Sequence, residues 1–127
     1  MNSTATNQAT LTMSTNRAAQ SKSVYVVELD PSVWIESKAF REENPQYAPA
    51  SGAKCLYVGM TGHAPAERFA KHKAGIKAGR GFVKRYGLAL RPDLFEHENP
   101  LTYDAACQRE VSLAEELRAR GHAVRQN

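Results

Sequence analysis

The sequence predicts an α/β (α+β) domain built on a small three-stranded sheet flanked by helices, and three observations carry that prediction. Short runs rich in β-branched and aromatic residues at 23–29 and 55–58 read as strands. Between and after them, segments open with Pro or Thr and close with Gly, the start and stop signals of helices. The chain has 127 residues, 42% hydrophobic and 24% charged, which suits one ordinary globular core and leaves no room for a second.

Residues 1–21 are mostly Ser, Thr, Asn, Gln and Ala, with a single charge at Arg17. They are expected to form a disordered polar tail ahead of one domain at 22–127. The tail lacks the charged start and roughly 7–15-residue apolar centre of a secretory signal. No run approaches about 20 apolar residues, so a cytoplasmic protein without a membrane span is expected.

The first strand, 23–29, reads Ser-Val-Tyr-Val-Val-Glu-Leu. Asp30 then caps and Pro31 opens one helix, with Val33, Trp34 and Phe40 on its buried side, ending before Pro45. Residues 47–54, with Pro49 and Gly52, are a loop, and 55–58 is the second strand, closed by Gly59. After the turn at 60–63, Pro65 begins a helix running through Arg68 and His72 to about Gly75. A shorter helix is expected at 82–86 between Gly81 and Gly87, and a third strand at 88–90. Thr102 caps the last helix, Asp104 sits near its positive end, Arg118 and Arg120 near its negative end, and Gly121 closes it.

Charge is distributed unevenly. Residues 61–91 hold eight basic side chains against Glu67 alone, while the rest of the chain holds nine basic and twelve acidic ones. Such a segment is the electrostatic footprint of polyanion contact, and Lys71, Lys77, Arg80, Lys84 and Arg85 are the expected nucleic-acid-binding residues. A solvated helix face is the plainer alternative. Phe69, Phe82 and Tyr86 interleave with these charges, either as core or as stacking platforms. Cys55 and Cys107 lack partners at metal-site spacing and read as reduced, buried thiols; a Cys/His hydrolase on Cys55 and His72 is the sharper alternative.

On the last helix Ala106, Leu113 and Leu117 recur at the spacing of one apolar face, and Glu110 falls on the same stripe while Glu115 and Glu116 fall off it. An inward carboxylate costs several kcal/mol unless a cation or hydrogen bonds meet it, so Glu110 calls for a partner, either a metal or Arg68.

The ordered series Ser23-Val24-Tyr25, Tyr57-Val58-Gly59, Thr61, Arg68, His72 and a distal Glu resembles the GIY-YIG nuclease superfamily over nearly the whole of residues 23–124. Ser23 replaces the first Gly, and the insertion at about 30–54 is longer than the loop usual between the two triplets. The resemblance implies a metal-dependent endonuclease that hydrolyses phosphodiester bonds in nucleic acid, DNA ahead of RNA. It implies Tyr25 as proton acceptor for the attacking water, Tyr57 as its orienter, and Arg68 as the fixed cation for the phosphoryl oxygens. His72 is implied as a phosphate ligand or proton-transfer aid, and Glu110 as the single carboxylate holding Mg²⁺ or Mn²⁺. Substrate choice then rests on this domain, its tail or a protein partner. The rival expectation keeps the fold without the catalysis, as a nucleic-acid-binding or adaptor module. A third class, a small-molecule enzyme or a protein-binding domain, stays open as well.

Overall fold

The computed structural model describes residues 20–76 and 81–127. Most of the expected tail, and the expected phosphate-binding residues Lys77 and Arg80, lie outside them. The described chain is a mixed α/β fold whose sheet has four strands in the order β3-β1-β2-β4. Strand β1 (Ser23–Leu29) pairs antiparallel with β2 (Cys55–Thr61) over seven residues, from Ser23 opposite Thr61 to Leu29 opposite Cys55. Strand β3 (Gly87–Leu90) adds antiparallel to β1 with a register shift at Glu28 and Leu29. The expected count of three strands is corrected by β4 (Ala123–Gln126), which runs parallel to β2. Four residues that begin two positions after a helix-closing Gly carry too little alternation to announce a strand.

The insertion also differs from expectation. It holds two helices, α1 (Ser32–Glu36) and α2 (Lys38–Glu43), because Ser37 takes extended backbone between them. Its Oγ accepts from the Phe40 amide at 3.1 Å, starting α2 afresh. Asp30 does the same for α1, its carboxylate accepting from the Ser32 amide at 2.9 Å. A 3-10 turn, Pro49–Ser51, follows in the loop.

The insertion closes the outer edge of β4. Asn44, fully buried, accepts from the Val124 amide at 2.7 Å and from Arg118 Nε at 3.0 Å. Its Nδ2 donates to the carbonyls of Phe40 and Val124 at 2.8 and 3.1 Å. One side-chain amide thus pairs with the edge at Val124 as another strand would, which blunts it as a template for intermolecular pairing. Asn44→Ala is expected to destabilise the fold by roughly 2–4 kcal/mol, because it strands several buried donors and acceptors at once. Chemical denaturation reads the loss, and an unchanged midpoint would show the edge to be held by other contacts.

Helix α3 (Pro65–Lys73) begins at Pro65 and ends as its glycine requires. Gly75 has φ +84°, its amide donates to His72 O, and the Ile76 amide reaches back to Lys71 O, the paired bonds of a left-handed helix stop. Helix α4 (Phe82–Tyr86) matches its expected bounds. Helix α5 (Tyr103–Ala119) is capped by Thr102 Oγ1, which accepts from Ala105 N at 3.1 Å. At its other end Gly121, at φ +97°, repeats the left-handed stop, its amide donating to Arg118 O and the His122 amide to Leu117 O. Valines and leucines of β1, β2, β4 and α5 form the core, and none of the described helices is long and apolar enough to cross a membrane.

Candidate active site

Tyr25 stands opposite Gly59 in the β1–β2 ladder, and its ring lies across that glycine. A Cβ on Gly59 would sit 2.6 Å from the Tyr25 hydroxyl, closer than any real side chain tolerates. What approaches Gly59 is therefore a phenol rather than a neighbouring backbone, and the glycine is there to let the ring cross. Gly59→Ala is expected to displace Tyr25 and cost about 1–3 kcal/mol, the usual scale of overpacking. Thermal melting reads the cost, and an unaltered melt would mean the ring has room to shift.

Three rings converge beside this crossing. Tyr25 and Tyr57 centroids are 6.3 Å apart, and His72, one helical turn beyond Arg68 on α3, stands 6.1 and 5.7 Å from them. The Tyr25 hydroxyl and His72 Nε2 share a 2.9 Å hydrogen bond. Tyr57 and His72 are each 1% exposed, yet Tyr57 Oη and His72 Nδ1 find no hydrogen-bond partner among the described residues. Buried polar atoms are rarely left so, because each forfeits about 1–3 kcal/mol of hydration.

The electrostatics follow from burial. It pushes Tyr25 up to about 12, while the charge of Arg68 and its hydrogen bond to the phenol pull the other way. Tyr57 is raised by burial and by its neighbours Tyr25 and Glu110. Burial lowers His72 to about 4, and Arg68 adds to that lowering. At neutral pH the two phenols are protonated and the imidazole is uncharged, so its Nε2 can accept the hydrogen bond of the Tyr25 hydroxyl. Arg68 is half-buried, with Nη1 also directed at Ile76 O at 3.4 Å.

Glu110 points inward as its place on the stripe requires, 8% exposed, whereas Glu115 and Glu116 face solvent. Burial raises its carboxyl above the usual range, against a single long hydrogen bond from Gln126 Nε2 at 3.3 Å, and its charge reaches both phenols. A buried carboxylate this lightly satisfied fits a cation. No group of three or more His, Cys, Asp or Glu gathers among the described residues. A lone carboxylate completed by water and substrate oxygens suits Mg²⁺ or Mn²⁺, which keep much of their hydration, far better than zinc.

Two of the expected nucleic-acid-binding residues stand in ion pairs open to solvent. Arg85 is paired with Glu36 at 2.8 Å and stacks over Tyr86, and Lys71 lies 3.5 Å from Glu67. Lys84 is exposed, as a phosphate contact requires. Arg91 reaches Glu28 and Asp93 at 3.1 and 2.9 Å, so the excess counted along 61–91 is partly neutralised by acids from outside that segment. Lys73 is a structural clamp, donating to Lys84 O and Gly87 O. Phe82 and Tyr86 pack inward, against Phe40 and each other, rather than offering stacking platforms. His63 is exposed.

Cys55 is buried beside Tyr47 at the far end of β2 from Gly59, and burial raises its thiol, the opposite of what a nucleophile needs. Cys107 is only half-buried, correcting the expectation for it, and contacts Met60 at 3.6 Å between sulfurs. Asn44 and Gln126 escaped the sequence reading, since each meets its partner only through the tertiary fold. Comparisons with family models, curated proteins and solved structures give no match to this chain.

Proposed function

We propose that the domain is a metal-dependent endonuclease of the GIY-YIG type that hydrolyses phosphodiester bonds in nucleic acid, with DNA preferred to RNA. The observation that supports this most is the buried Tyr25–His72–Tyr57 cluster, with Tyr57 Oη and His72 Nδ1 lacking a hydrogen-bond partner among the described residues and Arg68 beside it. In this reading Arg68 binds the phosphoryl oxygens, where negative charge grows in the transition state. Tyr25 takes a proton from the attacking water as its own proton passes to His72 Nε2, and Tyr57 Oη orients that water. Glu110 holds a divalent ion, which supplies charge neutralisation at the phosphate. The chain's own groups align the reactants and move the proton.

The burial of both phenols favours a second reading, a module that binds nucleic acid without cutting it. Incubating the purified protein with single-stranded, duplex and branched DNA and RNA, with Mg²⁺ or Mn²⁺ and then with chelator, separates the two. Metal-dependent cleavage is the expected result, and binding without cleavage under every condition decides for the module. Affinity is expected to fall with salt by nearly one logarithmic unit per unit of log salt for each phosphate contacted, with Lys71 and Lys84 contributing. A flat salt response would remove the nucleic-acid reading altogether.

A further inference from the structure

Phe82 and Tyr86 pack inward, but Tyr103 does not. At the start of α5 its ring is 59% exposed, and no other aromatic ring of Phe, Tyr or Trp among the described residues is exposed. The ring is anchored at its far edge. Its hydroxyl hydrogen-bonds with Cys107, one turn along the helix, and the Cys107 sulfur stands 3.6 Å from that of Met60, the residue after Gly59. A ring tied at its hydroxyl keeps its exposed surface in place and loses little freedom when a partner settles on it.

Position connects this ring with the candidate metal ligand. Tyr103 and Glu110 are seven residues apart on α5, which puts them on one face and about 10 Å apart along the axis. The bond to Cys107 does most to raise the Tyr103 phenol, and the charge of Glu110 still reaches it.

A cation flanks the ring. Lys22 exchanges backbone hydrogen bonds with Leu101 at 2.9 and 2.7 Å, so the start of β1 lies against the chain two residues before Tyr103. Its side chain crosses to the end of β2, where a Cβ on Gly62 would meet the ammonium at 3.0 Å. Among the described residues no acid pairs with Lys22, in contrast to Lys71, Arg85 and Arg91. An open aromatic ring near an unpaired ammonium suits a ligand in which flat rings alternate with anions. Single-stranded nucleic acid has that chemistry, whereas a duplex keeps its base faces stacked on one another.

We propose that Tyr103 and Lys22 form a nucleotide subsite beside Glu110, the ring stacking on an unpaired base and the ammonium holding the adjoining phosphate. The inference rests on the nucleic-acid reading above and adds to it the class of substrate, a single-stranded segment next to the cut.

The test is metal-free binding by fluorescence anisotropy, using a short end-labelled deoxyoligonucleotide and the same backbone with abasic residues throughout. Wild-type protein is expected to prefer the base-bearing strand. Tyr103→Ala is expected to weaken that strand by about tenfold, the scale of one stacked base, and to leave abasic binding unchanged. Tyr103→Phe, which keeps the ring, should retain the preference. Lys22→Gln should weaken both strands alike and lower the salt slope by about 0.7, the share of one phosphate on a single strand. Tyr103→Ala weakening both strands equally, or Lys22→Gln leaving the slope unchanged, overturns the subsite. So does a Tyr103→Ala protein that binds both strands as the wild type does and differs only in sedimentation, which would make the ring a contact between copies. Each of these outcomes leaves the nucleic-acid reading standing, while failure of the wild type to bind either strand overturns both.

Discussion

Glu110→Gln is expected to reduce cleavage to background, a fall of at least about 10³-fold, on the scale of losing one preorganised electrostatic partner of the transition state. Substrate binding should survive, and the protein should be no less stable than the wild type. The stability expectation separates a functional role from a structural one. Burial raises the Glu110 carboxyl, so the folded state disfavours its charge, and a neutral side chain of the same shape removes that penalty while keeping an oxygen for Gln126. A carboxylate retained where it weakens the fold has another use, and binding a cation is the one its surroundings suit. Isothermal titration with Mg²⁺ should lose its signal in the same variant. Glu115→Gln and Glu116→Gln are the controls. Glu116 pairs with Arg109 on the surface at 2.8 Å, so its loss costs at most about 1 kcal/mol and leaves cleavage intact. Full activity of Glu110→Gln would overturn the metal assignment and most of the case for catalysis.

Much of the geometry around these residues is legible along the chain because it is local. Pro65 sets a helix start through its fixed backbone angle, and Gly75, Thr102 and Gly121 set helix ends through bonds spanning at most five positions, so all four can be read directly. Glu110 is found by periodicity, since a single acid on an apolar stripe has to face inward. The rest depends on contacts between distant parts of the chain. Asn44 meets Val124 across 80 positions and Asn99 meets Val24 across 75, and nothing in an isolated Asn foretells such a partner. The same reason explains the overcounted basic segment. Arg85 and Arg91 look available in sequence, yet Glu36 and Glu28 reach them from the insertion and from β1. Ser37 shows the opposite failure, where a local cap that breaks a helix in two passes for an ordinary helical residue.

Tyr25→Phe and Arg68→Ala are each expected to slow metal-dependent cleavage by about 10²-fold or more, through lost proton transfer in the first and lost charge stabilisation in the second. Tyr25→Phe keeps the ring over Gly59 and removes the hydroxyl's hydrogen bonds to His72 and Arg68, so its cost in stability should stay at about 1–3 kcal/mol. The pH dependence then distinguishes two ways in which Tyr25 can act. A phenol raised to about 12 is almost wholly protonated at neutral pH, so a mechanism needing free phenolate would give a rate that climbs steadily into the alkaline range. A relay to His72 needs only the uncharged imidazole, which burial secures down to about pH 4. The rate should then be level through neutrality and fall only as His72 takes up a proton in acid. Folding stability follows the same titration. The unfolded chain binds a proton near the ordinary histidine value of 6.5 that the folded chain refuses until about 4, so the His72 contribution falls as pH drops through that interval. Glu110 works in the opposite sense, because its raised carboxyl favours the folded state as it protonates. Arg68 depresses both the phenol and the imidazole, so Arg68→Ala should move the acid limb of its residual activity to higher pH. A wild-type profile that climbs tenfold per pH unit from neutrality upward would exclude the relay and leave the phenolate of Tyr25 as the base. A profile unaltered by Tyr25→Phe would remove the tyrosine from proton transfer and place His72 next to the water.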